Sequence, residues 1–157
     1  MAGFSHINEQ GLPTMVDVGE KPVSQRIAVA RSMVELPPAV YEKLMDGDIV
    51  TKKGAVFQTA IIAGIMAAKK TGELIPLCHP LGLDNCSIDI RISNNNLLID
   101  CTAAITSKTG VEMEALVGAS IAALTVYDMC KSLSHDIVIK ETKLMKKSGG
   151  KHEYKRT

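Results

Sequence analysis

Apolar and polar positions along the chain follow two periods. From Pro22 to Glu35, the apolar Ile27, Val29 and Ala30 between Arg26 and Arg31 predict a strand. Cys86, Ile88, Ile90 and Ile92 alternate with Ser87, Asp89, Arg91 and Ser93, the pattern of a strand with one face buried. Asn94-Asn95-Asn96 predicts a turn, because Asn tolerates left-handed backbone, and Leu97 to Thr106 returns as the second strand of a hairpin. Asp136 to Leu144, with Ile137 and Ile139 between polar partners, predicts a closing strand. Helical spacing governs Val56 to Lys70, where Ile61, Ile62, Ile65 and Met66 recur by turns and Ala60, Ala63, Gly64 and Ala67 allow a neighbour to approach; Gly72 predicts the stop. A second apolar helix is predicted from Val111 to Leu133. Thr109-Gly110-Val111-Glu112 before it has the spacing of a capping box, in which a Thr hydroxyl and a Glu carboxylate satisfy free backbone donors. Pro37-Pro38 predicts a short helix over Ala39 to Met45, stopped by Asp46-Gly47.

The order strand, helix, helix, hairpin, helix, strand predicts an α+β sandwich, ferredoxin-like, with a mostly antiparallel sheet and helices packed on one face. A length of 157 residues fits a single catalytic domain spanning 1–157. Residues 1–20, punctuated by Gly3, Gly11, Pro13 and Gly19, read as irregular, and the basic tail through Lys151, Lys155 and Arg156 reads as a flexible, solvated end. Hydrophobic residues make up 46%, enough for a buried core, while aromatics are 3% with no Trp, which disfavours base stacking on single-stranded nucleic acid. Lys and Arg number 18 against 17 Asp and Glu, so no overall charge draws the chain to nucleic acid or to an anionic membrane. Cys78, Cys86, Cys101 and Cys130 include no CxxC pair, and the start from Met1 to His6 lacks the regions of a secretory signal; reduced thiols and a cytoplasmic location are expected. No apolar run is expected to approach the ~20 residues of a membrane span.

Four features carry candidate chemistry. Pro76-Leu77-Cys78-His79-Pro80 fixes a Cys and a His in a loop between prolines, where regular structure is barred. It reads as a site loop or as a structural turn whose His caps a carbonyl. Zinc also uses Cys and His, but adjacent ligands are not its usual spacing. Tyr127-Asp128-Met129-Cys130-Lys131 places Asp128 and Lys131 three apart on one helix face, as an ordinary surface pair or as an acid–base pair. Ile121, Ala122, Leu124, Thr125 and Val126 predict a largely buried helix, in which a Lys would have a depressed pKa. Glu112 and Glu114 fall in a first helical turn, where carboxylates could read the N–H edge of a guanine-like ring. Lys21, Arg26, Lys53, Lys131 and Lys147 are dispersed cations, with no GxxxxGK[ST] loop for phosphates.

Taken together, Met15-Val16-Asp17-Val18, Ile75 to Leu81, Lys108 to Leu116, Tyr127 to Lys131 and Lys147-Ser148-Gly149-Gly150 resemble, in the same order, the cyclic pyranopterin monophosphate synthase family of molybdenum cofactor biosynthesis. The resemblance runs from His6 to Gly150, with no departure at a motif position. It implies a lyase that converts 3′,8-cyclo-7,8-dihydro-GTP, a small-molecule substrate, to cyclic pyranopterin monophosphate with release of pyrophosphate. It implies a homohexamer, a trimer of dimers, with sites between subunits and with no cofactor and no metal. By the same resemblance Asp128, Lys131 and Lys53 are catalytic. Leu77, Cys78, His79, Met113 and Glu114 contact the substrate, and Asp17, Lys21, Arg26, Glu112 and Lys147 line the same site. A non-catalytic ferredoxin-like module that binds a nucleotide or assembles with partners, and a Cys/His metal protein, are the competing readings.

Overall fold

The computed structural model describes residues 5–157, so the first four residues of the irregular segment, Gly3 among them, lie outside the described residues. In chain order come β1 (Ser24–Glu35), α1 (Pro38–Tyr41), β2 (Leu44–Met45), β3 (Asp48–Thr51), β4 (Gly54–Ala55), α2 (Val56–Lys69), α3 (Thr71–Leu74), β5 (Asn85–Ser93), β6 (Asn96–Ser107), α4 (Glu112–Cys130), β7 (Val138–Ser148) and β8 (Tyr154–Lys155). The main sheet is antiparallel in the order β5-β6-β1-β7-β8. Without β8, the chain order β1-α2-β5-β6-α4-β7 and this strand order are those of the ferredoxin-like sandwich.

The sandwich closes because both periods bury small side chains. Along β1 and β6, Ala28, Ala30 and Val34 and Leu97, Ile99, Cys101 and Ala103 alternate onto the helix-facing side. From α4, Ala115, Ala119, Ala122, Ala123 and Val126 meet them. The helices α2 and α4 approach through Gly64 and Gly118. A Cβ at Gly64 would strike the Ile88 side chain and the Gly118 carbonyl oxygen, and one at Gly118 would lie 2.6 Å from Cys101 Sγ. The small residues thus set the helix-layer spacing.

Several local expectations are corrected. The short helix ends at Tyr41 rather than Met45, because Asp46 (φ 49°) and Gly47 (φ 82°) form the two-residue turn of a hairpin between β2 and β3. Asp-Gly is a strong signal for such a turn, and here it opens a small three-stranded sheet instead of merely stopping a helix. The capping box does not form: Val111 is the N-cap of α4, it receives no side-chain cap bond, and Glu112 reaches Lys147 instead. Helix α4 stops at Cys130, three residues before the expected Leu133. Strand β7 continues to Ser148, and Tyr154–Lys155 of the exposed tail pair with Lys147 and Lys146 as β8. By length and composition α4 is apolar enough to cross a bilayer, against expectation; half of that stretch is buried on the sheet and α2, which accounts for its apolarity. All four cysteines are free thiols, with Cys86 and Cys101 Sγ atoms 3.8 Å apart across β5 and β6.

Candidate active site

At the N-terminal end of α4 a cavity of about 260 Å³ opens between the 5–21 segment, the proline-flanked loop and the helix start. Lys21, Leu77, Cys78, His79, Glu112, Met113 and Glu114 line it, together with Val16 and Val18. The loop is held short by the Cys78 amide, which donates to the Ile75 carbonyl at 3.1 Å. His79 Nε2 lies 2.8 Å from the Val16 carbonyl oxygen, an acceptor, so that nitrogen is the donor. Lys108 Nζ donates to the Gly19 carbonyl at 2.6 Å. These two bonds strap the N-terminal segment across the cavity. His79 therefore satisfies both readings of its loop: it holds a carbonyl and it lines a site.

Glu114 is only 3% exposed. Burial pushes its carboxyl pKa up; the charge of Glu112 adds to that, while its own backbone amide and His79 oppose it. Burial, and then the neighbouring Glu114, pushes the Cys78 thiol up as well, which keeps it protonated and unsuited to act as a thiolate nucleophile.

A second cavity of about 110 Å³ shares the Gly110 and Glu112 walls of the first. Arg26 and Lys147 line it. Lys147 Nζ is 3.1 Å from Glu112 Oε1, and an Arg26 Nη reaches the Lys108 carbonyl at 3.4 Å, while Arg26 Nε is buried with no acceptor. A side chain at Gly110 would meet the Glu112 carboxylate and require it to move.

The C-terminal end of α4 holds Asp128, Lys131 and Lys53. Thr51 and Gly54 pair across a hairpin whose two-residue tip is Lys52-Lys53, and the Lys53 amide donates to Thr51 Oγ1 at 3.1 Å. This tip carries Lys53 Nζ to 3.0 Å from Asp128 Oδ2; Lys131 Nζ lies 2.8 Å from Asp128 Oδ1. Asp48 braces the same hairpin by accepting from the Phe57 amide at 2.7 Å and the Gln58 amide at 3.3 Å, in place of an N-cap for α2. The bond from Lys131, then that from Lys53, holds the Asp128 carboxyl below its usual range. Lys131 is raised, first by its bond to Asp128. That reverses the expected depression, since Lys131 sits just beyond the buried helix with its side chain 48% exposed.

Within one protomer these groups do not converge. Asp128 follows Met113 by about 22 Å along the axis of α4, at ~1.5 Å per residue. The N-terminal cavities gather Lys21, Arg26, Leu77, Cys78, His79, Glu112, Met113, Glu114 and Lys147; the far end gathers Lys53, Asp128 and Lys131. Asp17 lines neither cavity, because its Oδ1 is taken by the Gly19 amide at 2.8 Å in a local turn. Lys108, Thr51 and Asp48 position these groups without a signal local to them: Lys108 and Asp48 act on residues distant in sequence, and Thr51 acts within the β3–β4 hairpin, which the sequence pattern did not predict. Among the described residues no three His, Cys, Asp or Glu side chains gather as metal ligands.

Residues 15–150 match the model of the MoaC family. The chain is 52% identical to the cyclic pyranopterin monophosphate synthase of Xanthomonas campestris pv. campestris, over 97% of this chain and 93% of that one. It is 49% identical to the protein of the same name from Halalkalibacterium halodurans, with the same two coverages. It is also 50% identical to molybdenum cofactor biosynthesis protein 1 of Dictyostelium discoideum over 94% of this chain, but it spans only 26% of that relative's length.

Proposed function

Because the chain belongs to the MoaC family, we propose that it is a cyclic pyranopterin monophosphate synthase of the cytoplasm, converting 3′,8-cyclo-7,8-dihydro-GTP to cyclic pyranopterin monophosphate and pyrophosphate. The reading rests on one observation: the two clusters lie at opposite ends of one outward-facing stripe of α4. Met113, Val117, Ile121, Leu124 and Asp128 are spaced by four, four, three and four positions, and Met113 and Leu124 are exposed. Ile62 and Met66 of α2, which packs against α4, widen this apolar face. A second copy packed antiparallel on the stripe would cover it and set its own Asp128 beside this protomer's Met113 and Glu114. Such dimers, three to a hexamer, supply sites between subunits.

In the charge states of the protomer, Asp128 is a carboxylate that accepts a proton and Lys131 an ammonium that donates one. This pair opens the purine-derived imidazole ring and lets the pyrazine close. A sugar-derived hydroxyl then attacks the α-phosphate and pyrophosphate leaves. Arg26, Lys147 and Lys53 offset the phosphate charge, and Glu114 with the Leu77–His79 loop reads the ring edge. Covering by a second copy removes water from Lys131 and moves its pKa down, toward a usable acid. Incubation with the cyclised dihydro-GTP should yield pyrophosphate and an oxidisable pterin in equal amounts. Binding of the nucleotide without either product would identify a non-catalytic module instead.

A further inference from the structure

The family match ends at residue 150, yet the chain beyond it is built into the fold. Tyr154 pairs with Lys147 and Lys155 with Lys146, the Arg156 amide donates to the Met145 carbonyl at 2.8 Å, and Arg156 Nε donates to the Leu144 carbonyl at 2.9 Å. These bonds close a hairpin whose loop leaves β7 through Gly149 and Gly150. Gly149 has φ 84°, and a Cβ there would strike the Gln25 carbonyl oxygen; a Cβ at Gly150 would lie 2.8 Å from an Arg26 Nη. Ser24 Oγ donates to the Gly149 carbonyl at 2.7 Å and locks the crossing. The loop so held carries Lys151 and His152 into the wall of the smaller cavity, beside Arg26, Lys147 and Ser148.

The chemistry of that cavity is one-sided. Three cationic side chains face one carboxylate, Glu112, and Glu112 engages only Lys147. The buried Arg26 Nε has no acceptor, a defect that an entering anion would repair. At about 110 Å³ the space is less than half that of its neighbour, and its cations are Arg26, Lys147 and Lys151, while the neighbour carries Leu77, Leu81, Val16 and Val18. Their shared Gly110–Glu112 wall means that one ligand can lay a ring system in the larger and phosphates in the smaller.

We propose that Lys151 and His152, with Arg26 and Lys147, form a subsite for the β- and γ-phosphates of the substrate, the diphosphate that departs. This rests on the reading of the site as one for a GTP-derived triphosphate. The lysine supplies charge and the imidazole a hydrogen bond to non-bridging oxygens, so their contribution is to binding more than to bond rearrangement.

The test uses the full-length chain and two readouts: the Kd for inorganic pyrophosphate by titration calorimetry, and KM and kcat for the cyclised dihydro-GTP. The double variant Lys151→Gln, His152→Gln should raise both Kd and KM about tenfold and leave kcat within about twofold. Lys151→Glu should raise both further, and Lys140→Gln, a lysine of β7 paired with Glu35 and outside the cavity, should change neither. Wild-type turnover with Kd and KM indifferent to the tail variants overturns the subsite and leaves the reaction standing. Pyrophosphate affinity that falls in the variants, with no pterin from the wild type, supports the anion subsite and overturns the reaction.

Discussion

At the N-terminal end of α4 the ionisable groups are enclosed: Glu114 is 3% exposed and the strap through Val16 and Gly19 crosses the cavity mouth. At the other end Asp128, Lys53 and Lys131 stand with side chains 55%, 53% and 48% exposed, joined only to one another. The first environment shifts a carboxyl toward its neutral form by removing water. The second favours the charged forms of Asp128 and Lys131, because ion pairing acts without burial. An acid–base machine needs both conditions at one place. Within this chain, therefore, one end of α4 encloses its ionisable groups and the other leaves them in solvent.

The sharpest way to break this comparison is to remove the exposed groups. Asp128→Asn or Lys131→Ala should lower kcat by about 10³-fold or more while leaving the melting temperature unchanged, since neither side chain holds the fold. Next, mixing the inactive Asp128→Asn and Glu114→Ala chains by refolding should restore about a quarter of wild-type activity, because half of the random dimers carry one intact site of two. No recovery would mean that both halves serve from one protomer. The enclosed end answers to its strap: Lys108→Met, which frees the Gly19 carbonyl, should raise KM up to about tenfold with little change in kcat, and speed amide exchange in the segment around Gly19.

The smallest effect is on stability. A raised Glu114 pKa means that the folded chain holds a proton which the unfolded chain, at the ordinary 4.5, has released. Stability from this group is thus present below pH 4.5 and declines as pH rises through the raised value. Glu114→Gln, which has no such titration, should melt about 2–4 °C higher than wild type at pH 8, a shift of ~1 kcal/mol for a chain of this size, with the gain vanishing near pH 4. An equal gain at both pH values would show that burial charges Glu114 no penalty.

How far the residues could be read in advance depended on whether a signal was local. The period-2 run Cys86–Ser93 and the Ile/Ala face of Val56–Lys69 came out as β5 and α2 nearly to the residue, since each is written in the spacing of its own side chains. Thr109 and Glu112 have the right spacing for a capping box, yet Lys147, arriving from β7, takes the Glu112 carboxylate. Asp46-Gly47 reads as a helix stop, and the pairing of Leu44 with Ile49 makes it a hairpin turn. Composition marked the tail as solvated; the edge of β7 offered it a strand to pair with.

By itself the sequence determined the sandwich, its main helices and strands and the family, and it marked the candidate side chains, because periodicity and motif are properties of neighbours along the chain. Only the tertiary structure decided where those side chains stand. It set Lys53 on Asp128 and Lys147 on Glu112, and put the two clusters at opposite ends of α4. It also left Lys131 in water, so that its partner raises its pKa where burial would have lowered it. The physical reason is that charge state and convergence depend on distance and solvent in three dimensions, which spacing along a chain does not encode.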